Sequence, residues 1–181
     1  MFQDTASFLS YWRNARLRTV RVLDALTAED LEWAPAPGAF TFGDLFRHLA
    51  GLERFMWAEN VQGRPSSYPG HGQELASGVE GVRTYLDHCH REALIAFSGL
   101  SDADLLAPCR NPSGSEMATW KWLRAMIEHE AHHRGQLYLM ASLRGRTVAP
   151  LFGLTEEQLT AASRSVKSEK RNTDEHRTKL S

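Results

Sequence analysis

Apolar side chains recur at three-to-four-residue spacing along four long stretches of the chain, the mark of amphipathic helices rather than strands. Trp120–Arg144, WKWLRAMIEHEAHHRGQLYLMASLR, is the longest of the predicted helices and holds no proline, and Gly135 is its only helix-weakening residue. Leu123, Met126, Ile127, Leu137, Met140 and Ala141 fall on one face of it. Arg144 followed by Gly145 makes a fitting C-terminal stop. A first helix is predicted from about Thr5 to Leu26, with Phe8, Tyr11, Trp12, Ala15, Val22, Leu23 and Leu26 inward and Arg13, Arg16, Arg18 and Arg21 outward. A second opens at the capping box Thr41-Phe42-Gly43-Asp44 and turns Leu45, His48, Leu49, Leu52 and Met56 to the core, leaving Arg47 and Arg54 on the wet side. A third, from about Val79 to Phe97, buries Val82, Leu86, Cys89, Ala93, Leu94 and Phe97.

Between these lie turn signals. Thr27–Asp30 and Ser101–Asp104 read as short capped turns, and Gly63 to Gly78, rich in Gly, Ser and Pro, reads as a long functional or mobile surface connection. Pro150 to Gly153 is a turn, and Thr155-Glu156-Glu157-Gln158 is a capping box for a short fifth helix to about Ser163. Beyond it, SRSVKSEKRNTDEHRTKLS holds too little apolar surface to offset its ordering entropy. The expected organisation is a helical domain over 1–163 and a charged, flexible tail over 164–181. No clear β-alternation is present, so the predicted fold class is all-α, a four-helix bundle with a short extra C-terminal helix.

At 181 residues and 42% hydrophobic content the chain fits one domain with a real core. A formal charge of −1 supplies no basic field for nucleic acid or an anionic membrane. No apolar run reaches the length of about 18 residues needed to span a bilayer. The N-terminal residues lack the basic-then-apolar order of a signal peptide, and two cysteines, Cys89 and Cys109, make no disulfide framework. A cytoplasmic protein is expected.

The candidate chemistry lies in histidines. Positions 126, 129, 133, 137 and 140 share one helical stripe, so His129 and His133 point inward beside Met126, Leu137 and Met140. His48 occupies an equally apolar face of the second helix. Three imidazoles on rigid elements can hold a divalent metal and leave a fourth tetrahedral position open, which marks a catalytic site rather than a closed structural one. A metal there would lower the pKa of a bound water toward about 7, or accept a thiolate. The competing reading is that each inward histidine is a hydrogen-bonded core residue. His132 lies about 100° around the helix from His133 and belongs near the surface. His88 and His90 read as solvated, and His71, in Pro-Gly-His-Gly, is able to swing over a bundle-end site.

His129-Glu130-Ala131-His132-His133 also matches the H-E-x-x-H pattern of zinc peptidases, in which the glutamate is the general base. That pattern needs upstream strands to bind substrate, and none is predicted, so peptidase is disfavoured. Glu130 stays as the one catalytic candidate, a base or an exposed acid.

The run His129 to Gln136, HEAHHRGQ, together with Phe46-Arg47-His48-Leu49-Ala50, resembles the H-x-x-x-H-R-G-Q signature and the lone second-helix histidine of the DinB/YfiT superfamily. Helix order and spacing agree over roughly residues 5 to 163. The resemblance implies an up-down-down-up bundle in which His48, His129 and His133 hold zinc, nickel or a similar ion, with Arg134 and Gln136 serving packing or dimer contacts as much as chemistry. It further implies a homodimer, a small-molecule substrate, and in some relatives a low-molecular-weight thiol cosubstrate such as bacillithiol or mycothiol. Two functional classes are compatible with it: a metal-dependent transferase or hydrolase, and a non-catalytic metal-binding or stress-related interaction protein. A plain bundle with structural histidines is a third.

Overall fold

Helix α1, Thr5–Asp24, starts where the Asp4 carboxylate accepts the Ser7 backbone N–H and Ser7 Oγ accepts the Asp4 N–H. The short α2, Ala28–Leu31, follows, then α3, Phe42–Leu52, opened by the Thr41–Asp44 box. Each such cap is worth about 1 kcal/mol. One π-helical turn, Glu53–Trp57, continues α3 directly into α4, Ala58–Val61. Helix α5 covers Gly78–Ser98, the capped α6 covers Asp102–Leu106, and α7, the longest, covers Thr119–Leu143. Gly145 adopts a positive φ of 67° just past α7, where the sequence places the stop. These elements come from a computed structural model that describes residues 4–164.

The core is two apolar clusters stacked along the bundle. One gathers Phe8 and Trp12 of α1, Trp57, Phe97 of α5, and Leu123 and Met126 of α7. The other gathers Val22 and Leu23, Leu45 and Leu49, Val82 and Leu86, and Leu137 and Met140. Helices α1 and α7 thus begin in the first cluster and end in the second, while α3 and α5 run the opposite way. The order is up-down-down-up. Because α3 and α5 run parallel, the chain has to cross the length of the bundle between them, and residues 62–77 do so.

Three expectations are corrected here. Arg16 and Arg47 are buried, not solvated, because each meets carboxylates inside the bundle. Tyr11, expected inward, is largely exposed. A small antiparallel hairpin pairs β1, Pro108–Arg110, with β2, Glu116–Ala118. Three-residue strands are too short to display a period of two, which is why the alternation is invisible in the sequence.

The residues divide into two compact units, one ending at Val148 and one starting at Ala149. Within the second, Thr155 and Gln158 form the expected reciprocal cap of a helix at 156–164. The charged tail read over 164–181 lies, except for Arg164, outside the described residues.

Candidate metal centre

Midway along the bundle, between the two apolar clusters, polar side chains come inward from all four long helical segments. On the α3–α7 side these are His48, His129 and His133. His48 Nε2 lies 3.2 Å from His129 Nε2, which lies 3.1 Å from His133 Nε2, and one nitrogen from each ring fits within 4.8 Å of the others. Nitrogens bound to one tetrahedral ion at about 2.0–2.1 Å would lie roughly 3.3 Å apart, so this cluster has the dimensions of a ligand set. All three rings are half-buried, and Trp57, from the π turn, packs against His129 with ring centroids 5.1 Å apart.

The far side of two rings is also engaged. Gln136 Oε1 accepts from His133 Nδ1 at 2.6 Å, and His48 Nδ1 meets the Tyr68 hydroxyl at 2.8 Å. An amide oxygen only accepts, so Nδ1 of His133 carries the proton and its Nε2 lone pair faces the cluster. Such outer contacts fix tautomer and ring orientation in metal sites. Burial, then the neighbouring imidazoles, pushes His48 down to about 4 and His129 down to about 3. His133 is lowered too, chiefly by burial, against the Gln136 contact that favours its protonation. The triad is therefore neutral at pH 7, the form that binds a cation.

Tyr68 arrives on the crossover, which is tied at both ends of its approach. Ser67 N–H and Ser66 Oγ donate to the Phe55 carbonyl in the π turn. Arg47, fully buried at 0% exposure, donates to the carbonyls of His71 and Ala76 and pairs with Glu32 and Asp44. Two glycines make room. A methyl group on Gly51 would come within 3.0 Å of the Tyr68 ring, and one on Gly43 within 2.8 Å of the Arg47 guanidinium. His71 joins the network through Tyr68, 3.5 Å from its hydroxyl, and lies 4.4 Å from Phe40 between ring centroids.

The α1–α5 side of the same level is ionic. Arg16 pairs with Glu53 and lies 3.4 Å from Glu130, while Thr19 Oγ1 donates to Glu130 at 2.6 Å. His90 Nδ1 sits 3.0 Å from the other oxygen of Glu53, and its ring packs at a tilt of 42° against Trp12, with centroids 4.3 Å apart. Arg134 donates to the Ala15 carbonyl. Glu130, the sequence candidate for a general base, is thus turned toward α1 and engaged there. It is neither exposed nor among the groups gathered at the triad. His132 is exposed, as expected. His129 and His133, the two histidines of the H-E-x-x-H match, both stand in the triad, but Glu130 is held by Arg16 and Thr19, so that reading loses its general base. His90, read as solvated, is instead an interior partner of Glu53.

Sequence reasoning passed over Tyr68 and Phe40. Tyr68 had a signal: it is the only Tyr, Phe or Trp between Gly63 and Gly78. Gln136, read as a packing or dimer residue, contacts His133 directly.

Both histidine motifs fall within residues 11–137, which match the sequence profile of the DinB superfamily. The chain belongs to the DinB superfamily. At 23% identity over 172 residues it is similar to the uncharacterized protein YrdA of Bacillus subtilis strain 168, covering 87% of this chain and 93% of that protein. A DinB-like protein from Bacillus cereus ATCC 10987 shares its fold with a TM-score of 0.70, at 24% identity over 83% of this chain and 99% of the other. The DinB-like protein YjoA of Bacillus subtilis shares it at 0.67, with 16% identity over 82% of this chain and 99% of its own. The three-histidine cluster of this DinB chain is compatible with metal binding. Among the described residues no helix is long and apolar enough to cross a membrane.

Proposed function

We propose that His48, His129 and His133 hold one divalent ion, zinc or nickel, and that the protein is a metal-dependent enzyme acting on a small molecule at the position the three ligands leave open. The observation that carries this is the convergence of three neutral Nε2 atoms, two of them on rings whose Nδ1 atoms already have partners. Imidazole suits zinc and nickel alike. The ion would supply Lewis acidity and a low-pKa site for water or thiol. The protein's own part is to hold the ligands neutral, aim them, and shield them with Trp57 and Phe40.

Thiol transfer fits this site better than hydrolysis. A thiol loses its proton on meeting a divalent ion without a protein base, and Glu130 is occupied by Arg16 and Thr19. That same occupation of Glu130 is what favours the second reading, a non-catalytic metal-binding protein.

Elemental analysis of the purified full chain after loading decides the first step. About one ion per chain is expected, lost in both His48→Ala and His133→Ala while their helical circular dichroism persists. Full metal content in either variant would sink the assignment. A screen of low-molecular-weight thiols against electrophilic substrates then separates the two readings: turnover that depends on the metal supports the enzyme, and its absence supports the non-catalytic protein.

A further inference from the structure

A groove runs along the outer edge of the site, between the loop Pro35–Phe40 and the last turns of α7. It encloses about 500 Å³, and His133, Gln136, Phe40, Leu139, Met140 and Leu143 are among the residues that line it. This volume lies in the range of small-molecule sites. None of its lining side chains carries a formal charge at neutral pH, and apolar groups form most of the wall. Leu139 and Leu143 stand one turn apart and are 63% and 61% exposed, while the core face of the same helix is already supplied by Leu137, Met140 and Ala141. They are therefore not needed to close the bundle. From Gln136 to Leu143 the helix rises about 10 Å, so the groove is elongated and starts at a triad residue. Phe40 joins the two regions: it lines the groove, and its ring lies 5.6 Å from that of His48. A larger cavity, of about 660 Å³, is walled by Arg54, Arg64, Glu92 and Asp104 and contains no triad residue.

We propose that this groove seats the uncharged aliphatic or aryl part of a substrate whose donor or electrophilic atom sits at the triad. The inference rests on the metal reading above and adds to it the substrate class: a small molecule with a metal-seeking head and an apolar tail, not a nucleotide or a charged peptide. Water leaves both the tail and the leucines when the groove fills, so affinity grows with the apolar area covered.

The test uses the full chain loaded with cobalt(II) in place of the native ion and a series of straight-chain thiols from ethanethiol to hexanethiol. Thiolate binding is read from the sulfur-to-cobalt charge-transfer absorption. Affinity is expected to rise roughly three- to fourfold per methylene, and Leu139→Asp should flatten the series. Leu143→Asp provides a second, independent surface variant. Ethanethiol binding with a flat series in the unaltered protein would overturn the groove and leave the metal reading standing. Failure of every thiol to reach bound cobalt would overturn both. If sedimentation shows a dimer that Leu139→Asp dissociates, and the series is flat, the groove belongs to a second copy of the chain and the proposal falls.

Discussion

Gln136 Oε1 and His133 Nδ1 lie 2.6 Å apart, three residues along one helix, so a single turn of α7 supplies both a candidate ligand and the group that aims it. The matching contact on α3 comes from outside the helix: Tyr68, 20 residues after His48, reaches its Nδ1 at 2.8 Å. One ring is thus oriented locally and the other by the crossover.

Removing either outer contact is expected to weaken the metal without abolishing the site. Gln136→Leu and Tyr68→Phe should each raise the metal Kd about 10- to 100-fold, measured by competition with a chromophoric chelator, whereas Gln136→Glu, which keeps an acceptor, should stay close to the unaltered protein. Unchanged affinity in both removal variants would show that the rings orient themselves.

Arg47 is expected to act on the loop more than on the core. Arg47→Ala leaves Asp44 and Glu32 without their cation and the carbonyls of His71 and Ala76 without a donor. A loss of about 3 kcal/mol follows, the low end for breaking a buried pair because both carboxylates keep some access to water. Amide hydrogen exchange should accelerate across residues 66–76 before it does in α5 or α7. Uniform acceleration everywhere would assign Arg47 to global stability alone.

Acid should destabilise the metal-free protein well before carboxylates titrate. His48 is held at about 4 and His129 at about 3 by burial and by neighbouring imidazoles, and His90 at about 3 by burial and then Arg16. In the unfolded chain these rings titrate near the ordinary value of about 6.5. Between those limits the unfolded state binds protons that the folded state refuses, so stability rises with pH there. It is complete above about 6.5 and is lost progressively as pH falls toward 4. Thermal unfolding in chelator at pH 8, 6.5, 5 and 4 checks this; a Tm that holds level or climbs on acidification contradicts it.

Glu130 is expected to matter for the fold and not for metal content. Glu130→Ala leaves Arg16 short of one of its two acids and should cost about 3–5 kcal/mol, with folded protein still taking up one ion per chain. Loss of metal from protein that remains folded would place Glu130 in the site after all.

Much of this was legible in the chain. The apolar stripes located the long helices, the Thr41 and Ser101 boxes located two starts, and the shared faces selected the histidines that the fold brings together. What periodicity hid was buried charge. Arg16, Arg47, Glu53 and Glu130 lie inside because each finds a partner of opposite sign on another segment, or, for Arg47, also one turn away at Asp44. A pattern that scores one residue at a time assigns all four to solvent. Tyr68 was hidden for a different reason: its role depends on where a long loop lands, and that is settled by Phe55, Arg47 and the bare surfaces of Gly43 and Gly51.

The parallel course of α3 and α5 makes a crossover unavoidable, and in this protein the crossover passes the triad. Between residues 62 and 77 it lends only Tyr68 and Ala76 to the apolar clusters. The group that aims His48 is thus carried by a stretch that adds little to the core, whereas the three histidines stand on the helices that build it. Exchanging this loop while keeping the carbonyls that Arg47 binds would alter what surrounds His48 and leave the helical core in place, which makes the segment a practical one for redesign.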